Sequence, residues 1–153
     1  MHQPMRLAGV ATFLSILVTS NAPGGTAQDR LDHNRKTVLE FYELVINKKD
    51  FAAAEKYIGS QYIQHNPSAA DGKEGLKQFV DYLRKSLPQY HSDVKRTIAE
   101  GDYVVLHVYN KPAPESRGQA VVDIFRLKNG KIVEHWDVVQ PIPDKPANDN
   151  TMF

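Results

Sequence analysis

Gln119-Ala-Val-Val-Asp123-Ile-Phe-Arg-Leu-Lys128, then Asn129-Gly130, then Lys131-Ile-Val-Glu-His135-Trp136-Asp137-Val-Val-Gln140 is the stretch that decides the fold. Two runs rich in β-branched and aromatic residues are separated by Asn-Gly alone. Both residues of so tight a turn must accept positive φ, which Asn and Gly do best, so the stretch predicts a β-hairpin. Working back along the chain, Tyr103 to Lys111 and Ser92 to Glu100 carry the same period of two. A loop holding Pro112, Pro114 and Gly118 joins Tyr103–Lys111 to the hairpin. Pro141, Pro143 and Pro146 close the β region, because proline cannot donate to a ladder.

Before Pro88 the apolar period lengthens to that of a helix. Leu76, Phe79, Val80, Leu83 and Leu87 recur at helical spacing and predict a helix from Gly72 to Leu87. Leu31, Val38, Tyr42, Val45 and Ile46 predict another over Asp32 to Asn47. Asp50 is an N-cap for a short helix with Phe51, Ala54 and Ile58 inward, ended by Gly59. Tyr62 to Asn66 reads as a short strand stopped by Pro67. Helices first and an antiparallel sheet after them define an α+β domain in which a curved sheet wraps over three helices.

The first residues read differently. Arg6, the twelve-residue apolar run Leu7 to Val18, and Gly25-Thr26-Ala27 follow the order of a secretory signal. The run is short of the roughly 20 residues that span a bilayer. The expected layout is a cleaved signal over residues 1–27, one domain over 28–143, and a flexible tail over 144–153, in a protein exported to the periplasm or the medium. Whole, the chain has 19 Lys/Arg against 18 Asp/Glu; losing Arg6 leaves 18 against 18. A neutral domain gives no electrostatic reason to expect nucleic acid or an anionic membrane as partner. Cysteine is absent, so neither disulfides nor a thiol nucleophile enter.

Several polar residues interrupt apolar strands. Asp123 shares a face with Val121 and Phe125, where its carboxylate should be desolvated and suited to acid–base work. The alternative is a structural carboxylate paired with Arg126 or Arg96. His107 interrupts Val104-Val105-Leu106-His107-Val108, either as a core histidine or as a partner of Asp123. His65 and Asn66 are either a pocket wall or turn chemistry before Pro67. In His135-Trp136-Asp137 the ring and the two polar groups must take opposite faces. A His-x-Asp pair is a poor metal signal, and no phosphate loop, nucleophile elbow or dinucleotide fingerprint occurs. No metal and no cofactor are therefore expected.

Taken together, Phe41-Tyr42-Glu43-Leu44-Val45, Asp50-Phe51, Tyr62-Ile63-Gln64-His65-Asn66-Pro67, Asp123-Ile124-Phe125-Arg126 and Gly130 to Trp136 resemble the SnoaL-like branch of the nuclear transport factor 2-like superfamily. The resemblance runs from about Asn34 to Gln140. It implies a cone-shaped barrel, a strongly bent antiparallel sheet closed by three helices, commonly dimeric, with an axial pocket. It places Asp123 at the acid/base aspartate of the cyclases and His107 at the accompanying strand histidine. Asn66 stands where ketosteroid isomerase has its general base, and an amide cannot take that proton. Phe41 or Tyr42 falls near an oxyanion-hole tyrosine, and only Tyr42 can donate. Trp136 matches a pocket tryptophan, which would turn His135 and Asp137 outward. The implied function is a cofactor-free lyase or isomerase, of aldol or cyclase type, on a small apolar carbonyl compound. The alternative is a non-catalytic module that binds a small hydrophobe or dimerises.

Overall fold

The computed structural model describes residues 25–153. Most of the expected signal, residues 1–24, lies outside the described residues. Helix α1 (Ala27–Phe41) starts on a capping box: Thr26 Oγ1 accepts from the Asp29 amide at 3.1 Å, and Asp29 Oδ2 accepts from the Thr26 amide at 2.7 Å. The small-x-small motif thus coincides with the helix cap, and α1 begins five residues before the predicted Asp32. Among the described residues, no helix is long and apolar enough to cross a membrane.

From α1 the chain continues into a π-helical segment, Tyr42–Asn47. The wider turn brings Phe41 and its neighbour Tyr42 both into the interior, with Val38, Val45 and Ile46. A 3₁₀ helix, Phe51–Lys56, is capped by the Asp50 carboxylate on the Ala52 amide at 3.0 Å. Strand β1 (Ile58–Gln64) follows, so Gly59 lies inside a strand rather than ending a helix. Helix α2 (Gly72–Ser86) buries Leu76, Val80 and Leu83 and leaves Phe79 37% exposed. The remaining strands are β2 (His91–Glu100), β3 (Tyr103–Lys111), β4 (Gln119–Lys128) and β5 (Lys131–Pro141), within one residue of the sequence reading. Asn129 and Gly130 adopt φ of 53° and 72°, as the hairpin requires.

The strands form one sheet in the order β1-β5-β4-β3-β2. Four of them are antiparallel; β1 joins the edge in parallel with β5, so the expected antiparallel sheet is mixed, and it remains open. Parallel entry follows from connectivity, since β1 reaches β5 across the whole domain and no hairpin constrains its direction. Irregularities in β1, β2 and the β4–β5 pair bend the sheet around the helices. One core results, with Phe41, Leu83, Leu106, Phe125 and Ile132 all but inaccessible. Residues 144–153 hold no helix or strand, yet the Phe153 ring packs on His107 and Tyr109, with centroids 5.5 and 4.6 Å apart.

Candidate functional site

A single bulge decides what faces the interior. On β4 the inner face is Val121, Asp123, Phe125 and Leu127, in strict alternation. Opposite them on β5 stand Val139, Asp137, His135 and then Ile132, three residues back instead of two. Val133 is the extra residue, and it reverses the parity of everything beyond it. Were Val133 in regular alternation instead of bulged, Trp136 would point inward with Ile132. With the bulge, His135 and Asp137 turn in. The bulged side chain occupies space above Gly59, where an added Cβ would lie 2.8 Å from Val133 Cγ1.

Asp123 is 4% exposed and accepts a hydrogen bond from the Tyr42 hydroxyl at 2.7 Å. Its other oxygen meets His135 Nε2 at 2.8 Å. His135 Nδ1 lies 2.9 Å from Gln64 Oε1, which also accepts from the Asn66 amide at 2.9 Å. Asn66 Nδ2 donates to Asp137 Oδ2 at 2.7 Å, while its own oxygen accepts from the Ser68 amide. Burial and the nearby Asp123 charge push the Tyr42 hydroxyl well above the usual tyrosine range. Burial first, and Asp123 second, does the same to Tyr62. Both phenols therefore stay protonated donors. The edge of Phe41 and the rings of Tyr42 and His135 pack around Phe125, which holds the polar cluster against an aromatic wall.

These groups line a cavity of about 240 Å³. Asp123, Asp137, His135, Gln64, Asn66, Tyr42 and Tyr62 contribute its polar wall; Leu76, Leu83, Leu87 and Val121 are among its apolar residues. Phe79, Tyr82 and Val139 line it while standing 37%, 53% and 43% exposed, which makes an apolar mouth. Among the described residues, no lysine or arginine is in the lining.

The structure places the sequence-predicted residues unevenly. Asp123, Tyr42 and Asn66 meet at the cavity, and the Phe41/Tyr42 register is resolved, with the Tyr42 hydroxyl on Asp123. Its one proton is committed there, so Tyr42 holds the carboxylate rather than serving as a free oxyanion donor. His107 is a correction. Leu106 is the cross-strand partner of Asp123, and His107 pairs with Val122 on the outer face. There it meets Arg96 at 2.9 Å and the Phe153 ring. The wholly aliphatic face Val104, Leu106, Val108 is the inner one. Trp136 is a second correction: the Val133 bulge turns it outward, stacked on His65 at 4.6 Å and 4°. His65 is the third, since it lies against Trp136 and bonds Glu134 at 2.9 Å instead of lining the cavity. Arg126 also pairs with Glu134, and neither Arg126 nor Arg96 touches Asp123. His65 and Arg126 together hold Glu134 below the usual carboxylate range.

Asp123, His135 and Asp137 offer one ligand atom each within 4.8 Å of one another, the set that could hold a metal. The fit is poor as built. Both His135 nitrogens and both Asp123 oxygens are engaged in hydrogen bonds, so an ion would have to break the pair apart.

Comparison with known proteins accords with this geometry. A family model described as SnoaL-like polyketide cyclase matches residues 36–143. The chain belongs to that family. Solved structures share the fold of this SnoaL-like domain at low identity. A protein provisionally named a polyketide cyclase from Bacillus cereus aligns with TM-score 0.63 and 21% identity, over 74% of this chain and 78% of that one. AclR from Streptomyces galilaeus, provisionally named a hydroxylase, gives 0.62 and 20%, over 76% and 91%. An NTF2-like protein of unknown function from Mesorhizobium loti gives 0.61 and 20%, over 73% and 94%. No curated protein matches the chain. Within the SnoaL-like domain, sequence reasoning gave no role to Gln64 and Tyr62 and turned His135 and Asp137 outward, whereas all four line the cavity. Their signal was the crowding of polar residues at the ends of β1 and β5, which is informative only once the register of the two strands is known.

Proposed function

We propose that this protein is a cofactor-free acid–base catalyst, a lyase or isomerase of aldol or cyclase type that acts on a small uncharged carbonyl compound. The observation that carries the reading is the buried Tyr42–Asp123–His135 chain at the polar wall of an otherwise apolar cavity. Asp123 takes the proton α to the carbonyl as the C–H electron pair moves into the enolate. Its partner is His135, in place of the outward-facing His107. The enolate oxygen is stabilised by the second N–H of Asn66 and by the Tyr62 hydroxyl, whose proton has no acceptor among the described residues. When the enolate carbon attacks an acceptor carbonyl, the same proton passes to the new alkoxide, so the reaction balances without a co-reactant. Proton transfer by a placed side chain contributes typically about 10²–10⁴-fold.

Cavity size and charge narrow the substrate. At about 240 Å³ the space exceeds the roughly 150 Å³ that accepts benzene. It falls short of the roughly 300–1,000 Å³ of drug-sized sites. One or two rings fit within, with further apolar bulk at the Phe79–Tyr82–Val139 mouth. An anionic ligand about 5 Å from one of the carboxylates would be opposed by roughly 3 kcal/mol at an effective dielectric near 20. No lining cation among the described residues offsets that. The reading includes export of the domain and self-association through the outer sheet face, where Ile98, Val122 and Val138 are 62%, 38% and 67% exposed.

The test does not need the natural substrate. Aryl methyl ketones in D₂O are followed by proton NMR for exchange of their α-hydrogens. Wild-type protein is expected to accelerate exchange and Asp123→Asn to abolish the acceleration. Ketones that bind without exchange in either protein would favour the second reading, a binding module, which the apolar lining and mouth of the cavity also support.

A further inference from the structure

We propose that Gln64 is a positioning residue that locks His135 as its Nδ1–H tautomer, so that His135 exchanges its only mobile proton with Asp123 and never with the ligand. The inference rests on the Asp123–His135 pair being the working site, as proposed above.

The argument starts from a donor whose identity is beyond choice. The Asn66 backbone N–H points at one terminal atom of the Gln64 amide, 2.9 Å away. A backbone N–H can only donate, so that atom is the amide oxygen. The same oxygen lies 2.9 Å from His135 Nδ1. An oxygen acceptor requires a hydrogen on Nδ1. The Gln64 nitrogen, on the other side, points toward the Tyr62 hydroxyl at 3.5 Å, so the amide has no reason to flip. Nδ1–H is thereby fixed in both the neutral and the protonated ring.

Nε2 faces Asp123 Oδ1 at 2.8 Å, and Tyr42 donates to Oδ2. With Nδ1 occupied, a neutral Nε2 presents a lone pair to Asp123. A bare carboxylate opposite that lone pair would be repelled at this distance. The two groups therefore share one proton, on Nε2 or on Oδ1. The groups facing the pair are Tyr42 from the π-helical segment, Tyr62 and Gln64 from β1, Asn66 just beyond it, and Asp137 from β5. None of them is a cation. His135 thus acts as a proton reservoir behind Asp123. In the absence of Gln64, the ring could instead carry its single hydrogen on Nε2, where it would donate to the Asp123 carboxylate and leave no lone pair to take a proton from Asp123.

The test is a long-range ¹H–¹⁵N correlation spectrum of full-length protein labelled at histidine nitrogens, recorded at neutral pH. Wild type is expected to show His135 with a protonated Nδ1. Gln64→Leu is expected to convert the neutral ring to the Nε2–H form, and Gln64→Glu, which keeps an acceptor, to restore Nδ1–H. Wild-type His135 with a bare Nδ1 overturns the proposal on its own, whether or not any variant folds. So does a folded Gln64→Leu that keeps Nδ1–H. In the ketone exchange assay Gln64→Leu should lose roughly tenfold to a hundredfold in rate, the scale of one hydrogen bond to a charged group. The tautomer is read in the free protein, so it stands or falls separately from whether ketones are turned over.

Discussion

His135 Nε2 lies 2.8 Å from Asp123 Oδ1 although the two residues are not opposite one another in the sheet. Asp123 faces Asp137 across the β4–β5 ladder, and His135 faces Phe125. The contact is diagonal, within reach of a long side chain on the same face. It exists because Val133 adds a residue to β5 and rotates the strand beyond it by one position. The catalytic pair of the proposal is thus a product of strand irregularity as much as of residue type.

Asp123→Asn should separate chemistry from stability. The new amide oxygen can accept from Tyr42 and the new amide nitrogen can donate to His135 Nε2, so every bond in the chain is remade. Stability by urea denaturation is expected to stay within about 1 kcal/mol of wild type. Activity should fall by about 10²–10⁴-fold. Asp123→Leu, in contrast, strands the Tyr42 hydroxyl and the imidazole, and should cost about 2–6 kcal/mol at about 1–3 for each unpaired group. Equal stability losses in the two variants would contradict the hydrogen-bond pattern.

Alkaline stability should be governed by buried phenols. Tyr42, Tyr62 and Tyr90 are all pushed above the ordinary tyrosine value, chiefly by burial. A group whose folded value is raised keeps its proton in the folded state while the unfolded chain loses it. The contribution is complete below about pH 10 and is lost as pH rises toward the folded values. Each such tyrosine should remove about 1.4 kcal/mol of stability per pH unit in that range. Ultraviolet titration should find these three of the seven tyrosines ionising only as the protein unfolds. Tyr42→Phe should shallow the slope.

The bulge itself is open to test. Gly59→Ala places a methyl carbon 2.8 Å from Val133 Cγ1 and must displace a short, branched side chain. A loss of about 1–3 kcal/mol is expected in thermal or chemical unfolding. Deleting Val133 is the complementary experiment. It removes the extra residue, so Ile132 and Glu134 alternate directly while His135 and Asp137 keep facing inward and Trp136 outward. The variant is expected to fold and to keep ketone affinity within about tenfold of wild type. A folded deletion variant without ketone binding would contradict the register described for β5.

Trp136 is the sole tryptophan and stands outside the cavity against His65. Ligands that fill the cavity should therefore leave tryptophan emission almost unchanged. Trp136→Ala should alter ketone affinity by less than about twofold while removing part of the outer-face packing, at about 1–3 kcal/mol for a half-buried ring. Strong quenching on ligand titration would place the ligand on the outer sheet face instead.

The sequence by itself determined strands β2 to β5 and helix α2, because local signals suffice for them. Asn129-Gly130 specifies its hairpin through positive φ, and the period change after Pro88 separates helices from strands. It also determined that Asp123 is buried, since Val121 and Phe125 flank it on one strand and alternation within a strand is a local rule. Only the tertiary structure decided which histidine joins it. His107 and His135 each alternate with apolar neighbours, and alternation states that two faces exist without stating which one meets the helices. Cross-strand register chose for β3, where Leu106 and not His107 opposes Asp123. The Val133 bulge chose for β5, against the parity expected from Ile132. Gln64 became legible last, because its meaning lies in one oxygen shared between a backbone amide and a ring on another strand, 71 residues away.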